Sequence, residues 1–451
     1  MRNSLPPRVA EQLSALRERP IEPTEKGFGP LATAGPGSPA FPGGAGVTAA
    51  DLAAARPVLH AAGFTYPLLT LRESALASNI EAMAAYCDRA GVELAPHGKT
   101  AMSPELAARQ LAHGAWGITV ATIGQLRTYR AFGFPRLLLA NELVDEAGIA
   151  WLASELAADP GFEAFCYVDS QDGVAILDQV LTRQRAGRRL PVLVEIGHDR
   201  GRTGCRTDDD ALDVAKAAAA AGTLRVAGVA GYEAGFEQGI GAGSEADTLG
   251  LIASFCRRLR GLAGTLAETM PGVASAGEEL IVTAGGSAYF DVVTRELTAD
   301  GRGVTAPVQV ILRSGAYLTY DHGFYGTVSP AGRSAAGAPA LRPALELWAQ
   351  VLSRPEPGLA LLGAGRRDVG FDKGLPVPLR VLGRDTSTAG WAITELNDQH
   401  AYLRLDAEAD LRPGDLVGLG ISHPCTTLDK WRALVVLNDD DLVIDMVHAF
   451  F

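Results

Sequence analysis

The sequence predicts an α/β protein in which a (β/α)8 barrel precedes a C-terminal domain built of β-strands. Between residues 92 and 312, short apolar segments alternate with segments whose apolar residues recur at helical spacing. The apolar segments are near-continuous runs of Leu and β-branched residues, typical of parallel strands buried on both faces. About eight such units favour a closed TIM barrel over an open, doubly wound sheet. After residue 312 the helical periodicity disappears, and short strands follow, separated by Gly, Pro and Asp.

These patterns divide the chain into three parts. We expect an N-terminal extension at 1–63, the barrel at 64–311 and the β domain at 312–451. The extension combines a short helix at 7–18 with a Gly- and Pro-rich surface segment at 27–46. The first predicted strand precedes the barrel and could join the β domain instead.

The spacing of apolar residues predicts each element in order. In the first helix after the extension, Leu76, Ile80 and Met83 share one face, whereas Asn79 and Glu81 are expected to face outward. The strands predicted before residue 313 are 66–71, 92–96, 117–121, 136–140, 164–168, 191–196, 224–229, 279–283 and 308–312. The helices predicted between them are 74–91, 104–113, 123–132, 146–157, 171–183, 208–221 and 244–269. The strands predicted in the β domain are 348–352, 359–363, 379–381, 391–396, 401–405, 415–419 and 431–437.

The composition excludes several classes of partner. The 451 residues are 47% hydrophobic and 20% charged, which suffices for a large core. A net charge of −12 argues against nucleic acid and anionic membranes as partners. No apolar run approaches the about 20 residues of a membrane span, and the N-terminus lacks the apolar core of a secretory signal. Five scattered cysteines without a CxxC pair indicate reduced thiols in a cytoplasmic protein, with all but Cys425 in apolar contexts that predict burial.

Lys99 is the first candidate for chemistry, because it is one of only five lysines among 40 basic residues. A Schiff base is one role in which arginine cannot replace lysine, since it needs an amine that can lose its proton. Chance is the alternative. Lys99 follows the strand 92–96 in the segment His97-Gly98-Lys99, at the edge of the sheet where barrels place their active sites. Further polar residues follow other predicted strands, namely Thr122, Asn141, Asp169, Arg202 and Tyr232.

A phosphate site is predicted at Gly285-Gly286-Ser287, directly after the strand 279–283. Small residues there let backbone N–H groups approach a phosphate, and the serine hydroxyl adds a donor. A plain turn is the alternative. This arrangement matches pyridoxal phosphate (PLP), because a lysine follows the first strand of the barrel and a phosphate site follows one of its last strands. Arg202 could then hydrogen-bond the pyridine nitrogen and leave it largely unprotonated, or simply pair with a nearby acid.

A metal site is predicted at His423 and Cys425. On an extended segment, residues two positions apart project to the same face. Imidazole and thiolate suit Zn²⁺, with Mn²⁺ or Mg²⁺ as alternatives. Two protein ligands are too few for a structural zinc site but suffice for a catalytic ion completed by substrate and water. The alternative is a surface histidine beside a buried cysteine.

With these motifs in place, the chain resembles the D-serine dehydratase/D-threonine aldolase group of fold-type III, alanine racemase-like PLP enzymes. Within that group it is most similar to bacterial proteins called amino acid deaminase or D-serine deaminase-like. The matching segments run in family order over about residues 64–451. They are 95–100, 114–122, 201–204, 284–287, 314–317, 371–376 and 422–427.

The resemblance implies a role for each candidate residue. Lys99 would carry PLP as a Schiff base beside His97, and Gly285, Gly286 and Ser287 would hold the phosphate. Arg202 or Tyr232 would serve the ring. His423 and Cys425 would bind a divalent metal near the substrate hydroxyl. At the position of Cys425, related aldolases have Asp and related dehydratases have Cys, so the cysteine favours β-elimination. The loop 198–200 departs from its small, Gly-rich counterpart in close relatives.

The resulting prediction is a PLP- and metal-dependent dehydratase, or ammonia-lyase, of a D-β-hydroxy amino acid. D-serine is the first expected substrate and D-threonine the next. The alternatives are a D-threonine aldolase-type lyase that yields glycine and an aldehyde, an amino acid racemase, and a non-catalytic PLP-binding protein. The family also implies a homodimer, in which the charged loop 366–376 could close over a site of the second subunit.

Overall fold

The computed structural model describes residues 4–22, 24–28, 46–61, 63–236, 244–270, 279–299 and 308–451. Most of the segment predicted at 27–46 therefore lies outside the described residues. The chain divides into two units. The first comprises residues 1–8, 84–99 and 110–315, and the second comprises 9–83, 100–109 and 316–451. Strand β1 (Leu68–Arg72) belongs to the second unit, and the barrel strands follow it in sequence.

The first unit contains an eight-stranded parallel sheet in which, from the second strand to the last, each strand lies beside the next in sequence. The last strand pairs with the first. Backbone hydrogen bonds from Trp116 to Leu94 and from Thr119 to Pro96 join the first strand to the second, so the barrel is closed. Its strands are β2 (Glu93–Leu94), β3 (Ile118–Val120), β4 (Arg136–Glu142), β5 (Glu163–Val168), β6 (Leu190–Ile196), β7 (Leu224–Gly231), β8 (Leu280–Ala284) and β9 (Val308–Leu312).

Helices alternate with these strands, as the periodicity predicts. Five of them begin at a Ser, Thr or Asp whose side chain accepts a backbone N–H of the first turn; these caps are Thr122, Asp145, Ser170, Thr207 and Ser244. The α-helices are α1 (Pro7–Arg17), α2 (Ala49–Ala55), α3 (Glu73–Ala90), α4 (Pro104–Ala112), α5 (Ile123–Ala131), α6 (Glu146–Ala158), α7 (Gln171–Arg183), α8 (Asp208–Ala220), α9 (Glu245–Thr269), α10 (Phe290–Thr298), α11 (Phe324–Val328) and α12 (Cys425–Leu428).

Apolar side chains fill the inside of the barrel. Phe165, Leu193, Ile281 and Ile311 contribute to one buried cluster from four different strands. Tyr167 follows Phe165 at the period of two expected along β5 and therefore points inward as well. This packed interior supports the residues at the carboxyl edge of the strands.

The second unit is built around a nine-stranded sheet that is antiparallel except between β1 and one neighbour. Its further strands are β10 (Leu345–Glu356), β11 (Leu359–Leu362), β12 (Val377–Val381), β13 (Ala392–Leu396), β14 (Ala401–Arg404), β15 (Leu416–Gly420), β16 (Ala433–Leu437) and β17 (Val443–His448). β1 lies between β10 and β16. Leu347 and Trp348 pack in two different clusters, as the alternation along β10 requires. The predicted barrel and the separate β domain are therefore both present.

Several details differ from the predictions. The helix α10 was not predicted, because its β-branched residues Val292, Val293 and Thr294 have low helix propensity and tertiary packing decides its structure. The strand β17 was also missed. Asn79 does not face outward: it is fully buried, because its side-chain amide donates hydrogen bonds to the carbonyl groups of Leu318 and Arg342.

The cysteines follow the prediction, since four of them are buried and Cys425 is partly exposed, all as thiols outside any disulfide. Across the part of the chain that the structure describes, no helix combines the length and apolar character needed to cross a membrane.

Candidate active site

A cavity of about 230 Å³ lies at the carboxyl edge of the barrel strands. It brings together five of the predicted site residues, namely His97, Lys99, Arg202, Tyr232 and Gly286. The remaining residues that line it are Ala121, Ala140, Asn141, Tyr167, Glu195, Thr203 and Arg313. Gly285 and Ser287 are not among the lining residues of this cavity.

The short turn Gly98–Thr100 places Lys99 directly after β2. The Tyr129 hydroxyl, on α5, donates a hydrogen bond of 2.9 Å to the Gly98 carbonyl oxygen. A Cβ atom at Gly98 would lie only 2.6 Å from that hydroxyl, so the position requires glycine. The turn that carries Lys99 is therefore anchored to the barrel from one side.

His97 is held neutral beside Lys99. Burial, followed by the positive charges of Lys99 and Arg313, places the pKa of His97 well below its ordinary value. The backbone of His97 bridges to Thr119 on β3, and the Thr119 hydroxyl donates to the Ala95 carbonyl oxygen at 2.7 Å. The imidazole therefore offers one donor and one acceptor to the cavity and adds no positive charge to those of its neighbours.

Three residues that line the cavity carry a buried polar atom without a hydrogen-bond partner. These atoms are His97 Nδ1, the Tyr167 hydroxyl and Glu195 Oε2. Buried polar groups are normally paired, so such atoms around one cavity indicate a polar ligand that would pair with them. This observation fits a cofactor such as PLP, which carries a ring nitrogen, a phenolic oxygen and a phosphate.

Arg313 is a site residue that the sequence analysis missed. It follows β9 directly and is only 5% exposed. Its guanidinium donates to Thr283 Oγ1 at 2.7 Å and to the Gly231 carbonyl oxygen at 2.6 Å, both of which are neutral. Among the described residues no carboxylate pairs with this buried cation, which calls for an anion or another acceptor nearby. Arg313 therefore adds a cationic wall to the cavity that holds Lys99.

The glycines of the predicted phosphate site already have an anionic partner. The carboxylate of fully buried Glu233 accepts the N–H of Gly285 at 3.0 Å and the N–H of Gly286 at 2.6 Å. The Ser314 hydroxyl donates to the carbonyl oxygens of both glycines at 3.1 Å. Their role as phosphate ligands stays a prediction, and it requires a phosphate to replace the Glu233 carboxylate or to bind beside it.

Three acidic residues meet on neighbouring strands next to the cavity. Carboxyl oxygens of Glu142, Asp169 and Glu195 lie within 4.8 Å of one another. Burial, followed by the hydrogen bond to Glu195 and its charge, raises the pKa of Glu142 to about 9. Glu142 is thus protonated at neutral pH. The predicted candidate Asp169 instead accepts the Gly204 N–H at 3.0 Å, which ties the loop after β6 to the end of β5.

The predicted metal pair lies in the second unit. His423 and Cys425 are close enough for their side chains to hydrogen-bond, but the segment is not extended as predicted. Pro424 has helical backbone angles and Cys425 begins α12, so a helical turn brings the pair together rather than strand alternation. The Thr100 hydroxyl lies 3.4 Å from Cys425 Sγ.

Asp372 orients the imidazole of this pair. Its carboxylate accepts a hydrogen bond from His423 Nδ1 at 2.8 Å, and the Thr426 hydroxyl donates to it at 2.6 Å. Burial lowers the pKa of His423, but the interactions with Cys425 and Asp372 outweigh it, so that the pKa lies above its ordinary value. Because Nδ1 is occupied, Nε2 is the atom available to a metal. The loop predicted to close over a second subunit thus contacts His423 of its own chain.

The donor set fits a catalytic rather than a structural ion. Imidazole and thiol are borderline-soft ligands, and a carboxylate behind the imidazole is the usual arrangement at metal-binding histidines. Within the described residues, no third His, Cys, Asp or Glu completes a three-ligand group around His423 and Cys425. An ion held there would keep positions for water and substrate.

Two family descriptions match the chain. Residues 71–271 match "Alanine racemase, N-terminal domain", and residues 344–437 match "Putative serine dehydratase domain". A D-threonine aldolase from Arthrobacter sp is 29% identical over 376 residues, which cover 83% of this chain and 89% of the relative. A D-threo-3-hydroxyaspartate dehydratase from Delftia sp. strain HT23 is 27% identical over 382 residues, which cover 81% of this chain and 92% of the relative.

Solved structures agree on the fold. The D-threonine aldolase from Filomicrobium marinum superposes with a TM-score of 0.71 at 24% identity, covering 86% of this chain and 95% of that one. A variant of D-threo-3-hydroxyaspartate dehydratase in a metal-free form superposes with a TM-score of 0.65 at 24% identity, covering 86% and 98%.

The fold-type III class of PLP enzymes is defined by a (β/α)8 barrel that is followed by a β domain and has a lysine in the cavity at its mouth. The chain is similar to this alanine racemase-like class in both of its parts. Its C-terminal match is the serine dehydratase domain, and its curated relatives are aldolases and a dehydratase. These similarities point to a PLP-dependent lyase.

Proposed function

We propose that this lyase is a metal-dependent dehydratase that converts a D-β-hydroxy amino acid to a 2-oxo acid and ammonia. D-serine is the first substrate to test and D-threonine the next. The observation that carries the proposal is the pairing of His423 with Cys425, which gives the site a sulfur ligand where the related aldolases are expected to have an aspartate. The family's homodimer stays a prediction.

Lys99 has two roles in this proposal. It holds the cofactor, which when bound withdraws electrons from the α-carbon of an amino acid substrate. Once the substrate amine has taken its place, the Lys99 amine removes the α-proton. Neutral His97 lies in the same cavity and adds no further positive charge beside that amine.

His423 and Cys425 would hold a divalent ion, Zn²⁺ first and Mn²⁺ or Mg²⁺ as alternatives, and such an ion would supply Lewis-acid chemistry for the loss of the β-hydroxyl. The Cα–H and Cβ–O bonds break, and the hydroxyl leaves as water with the abstracted proton. Hydrolysis of the remaining carbon–nitrogen bond consumes one water, so the net products from D-serine are pyruvate and ammonia. The metal-free form described for a relative supports metal use in this family.

Product analysis with and without chelator tests the proposal. Purified holoenzyme should release pyruvate from D-serine, lose that activity in EDTA and recover it with Zn²⁺ or Mn²⁺. Activity that survives complete metal removal would reject the metal step and favour a racemase. An absorbance band of lysine-bound cofactor that is unchanged in Lys99→Ala would reject the assignment of Lys99.

An aldolase is the second candidate, because three of the curated relatives carry that activity in their names. It would release glycine and an aldehyde from D-threonine. Cys425→Asp offers a direct comparison, since it installs the ligand expected in aldolases. Glycine as the main product of the unaltered protein would overturn the dehydratase proposal.

A further inference from the structure

A cavity of about 260 Å³ in the second unit is lined by the N-terminal extension and by the C-terminal end of the chain. We call it the extension pocket. Residues from 19–25 form one wall and residues from 446–451 another, and both ranges lie outside the two family matches. Pockets for drug-sized ligands measure about 300–1,000 Å³, so this slightly smaller one suits a small metabolite. The pocket is therefore a candidate site separate from the one that holds Lys99.

The extension is clamped to the second unit on both sides of this wall. Before it, the Arg17 guanidinium pairs with Asp445 on β17 at 2.7 Å. After it, the Lys26 ammonium pairs with the buried Asp368 carboxylate at 3.0 Å and lies 4.4 Å from the centre of the Trp431 ring. The pocket is thus formed before a ligand arrives, which lowers the entropy lost on binding.

Two opposite charges line the extension pocket without meeting. Glu25 is half-buried and Arg432 is exposed. Burial raises the pKa of Glu25, and the charge of Arg432 lowers it to a smaller extent, so the two groups act on each other through space. Among the described residues, neither has an opposite charge within ion-pair distance, whereas Arg19 and Glu22 pair with each other at 4.0 Å. A ligand that carries both charges would bridge Glu25 and Arg432.

His448 adds a hydrogen-bond acceptor to the same pocket. Its backbone N–H and its Nδ1–H donate to Glu105 Oε1 at 3.0 Å and 2.7 Å. Nε2 is therefore the atom that the ring offers to a ligand, and in the neutral imidazole it accepts a hydrogen bond. The apolar side chains of Ile21, Met446 and Phe450 also line the pocket. The pocket thus combines a cation, two acceptors and an apolar wall.

The walls of the extension pocket contact the chain segment that follows Lys99. Glu105, which holds His448, belongs to this segment. The Phe450 N–H donates to the Met102 carbonyl oxygen at 2.9 Å. Met102 has a φ of 44°, a left-handed backbone that few residues other than glycine adopt. A ligand that shifts the C-terminal wall must therefore act on the backbone three residues after Lys99.

We propose that the extension pocket binds a free α-amino acid with an apolar side chain, as an effector of the site at Lys99. Arg432 receives the carboxylate, and Glu25 and His448 Nε2 accept the hydrogen bonds of the ammonium group. The side chain lies against the apolar wall. A ligand with only one of the two charges leaves either Arg432 or Glu25 unpaired. The inference does not depend on whether the enzyme is a dehydratase or an aldolase.

L-Leucine is a suitable probe, because L-leucinamide lacks its carboxylate and N-acetyl-L-leucine lacks its ammonium group. Calorimetry on holoenzyme reduced with borohydride measures binding while amines cannot react at the cofactor. We expect leucine to bind about tenfold more tightly than either analogue. Arg432→Gln should abolish the preference over leucinamide, and Glu25→Gln the preference over N-acetyl-leucine. Arg404→Gln and Glu408→Gln remove exposed charges from the same unit and should preserve both preferences.

No saturable binding of L-leucine, L-methionine or L-phenylalanine to the unaltered protein would overturn the inference. Leucine binding that is unchanged in both Arg432→Gln and Glu25→Gln would place the ligand elsewhere and also overturn it. Because coupling between two binding sites is reciprocal, leucine should bind apoenzyme and reduced holoenzyme with affinities that differ about fivefold or more. Equal affinities for the two forms would reject the effector role. None of these measurements needs turnover, so a failure of the proposed function would not be mistaken for a failure of this inference.

Discussion

Replacing Glu142 by glutamine should stabilise the protein at alkaline pH and have little effect near pH 5. Glu142 is half-buried beside Glu195 and Asp169, and its folded-state pKa is about 9 against an ordinary value of 4.5. Between these two values the folded protein retains a proton that the unfolded chain releases. Stability must therefore fall as the pH rises through this window. Glutamine keeps the size and a donor toward Glu195 but has no proton to lose.

The difference between the two pKa values corresponds to at most about 6 kcal/mol of unfolding free energy. Glu142 is only half-buried, and solvent screening reduces the effect. We therefore expect the variant to be about 2–3 kcal/mol more stable than the unaltered protein at pH 8.5. The difference in unfolding free energy between the variant and the unaltered protein should shrink progressively toward pH 5. At that pH Glu142 is protonated in the folded state and increasingly protonated in the unfolded chain.

Denaturant midpoints measured from pH 5 to pH 9 provide the assay, with Glu408→Gln as a control for the loss of one exposed carboxylate. Glu408 is exposed, so its variant should follow the unaltered protein across the whole range. A difference in stability between Glu142→Gln and the unaltered protein that is independent of pH would refute the raised pKa of Glu142. A variant that is less stable at pH 8.5 would show that the ionised Glu142 is stabilising, contrary to the reasoning above.

Two further predictions concern the ligands of the site. Asp372→Asn should weaken metal binding about 10–100-fold, because His423 loses the carboxylate that orients it. The variant should still show an absorbance band of lysine-bound cofactor. Competition with a chromophoric chelator measures the metal affinity, and an absorbance spectrum detects the bound cofactor. Arg313→Met should weaken PLP binding about tenfold or more, because the cavity loses its buried cation. A cofactor titration measures the affinity, and circular dichroism checks that the variant is folded. An unchanged affinity in the folded variant would contradict this prediction.

The barrel and part of its site could be predicted because both depend on local patterns. Buried parallel strands read as apolar runs, and the residues after them share one edge of the sheet. Lys99, His97, Arg202 and Tyr232 follow three such strands and line one cavity. Tyr167 could also have been identified, since it alternates with Phe165 along β5 and its hydroxyl then points into the barrel.

Other residues of the site depend on distant parts of the chain. Arg313 is one arginine among 35, and its importance comes from burial, which no local pattern records. Glu233 meets the amides of Gly285 and Gly286, more than 50 positions later, only because β7 and β8 are neighbours. For His423 and Cys425 the sequence identified the residues, but strand alternation was the wrong geometry, because Pro424 starts a helical turn.

The order of residues at Lys99 links the barrel unit directly to the second unit along the chain. Lys99 is the last residue of a barrel segment, and Thr100 is the first residue of the following segment of the second unit. The Thr100 hydroxyl meets the Cys425 thiol, so a single peptide bond separates the lysine from a residue that contacts the proposed metal pair. A change in the metal site that moves Thr100 must also act on the turn Gly98–Thr100, whose other anchor is the Tyr129 hydroxyl. Metal removal should therefore alter the spectrum of the lysine-bound cofactor as well as turnover, and an unchanged spectrum would show that the two sites act independently.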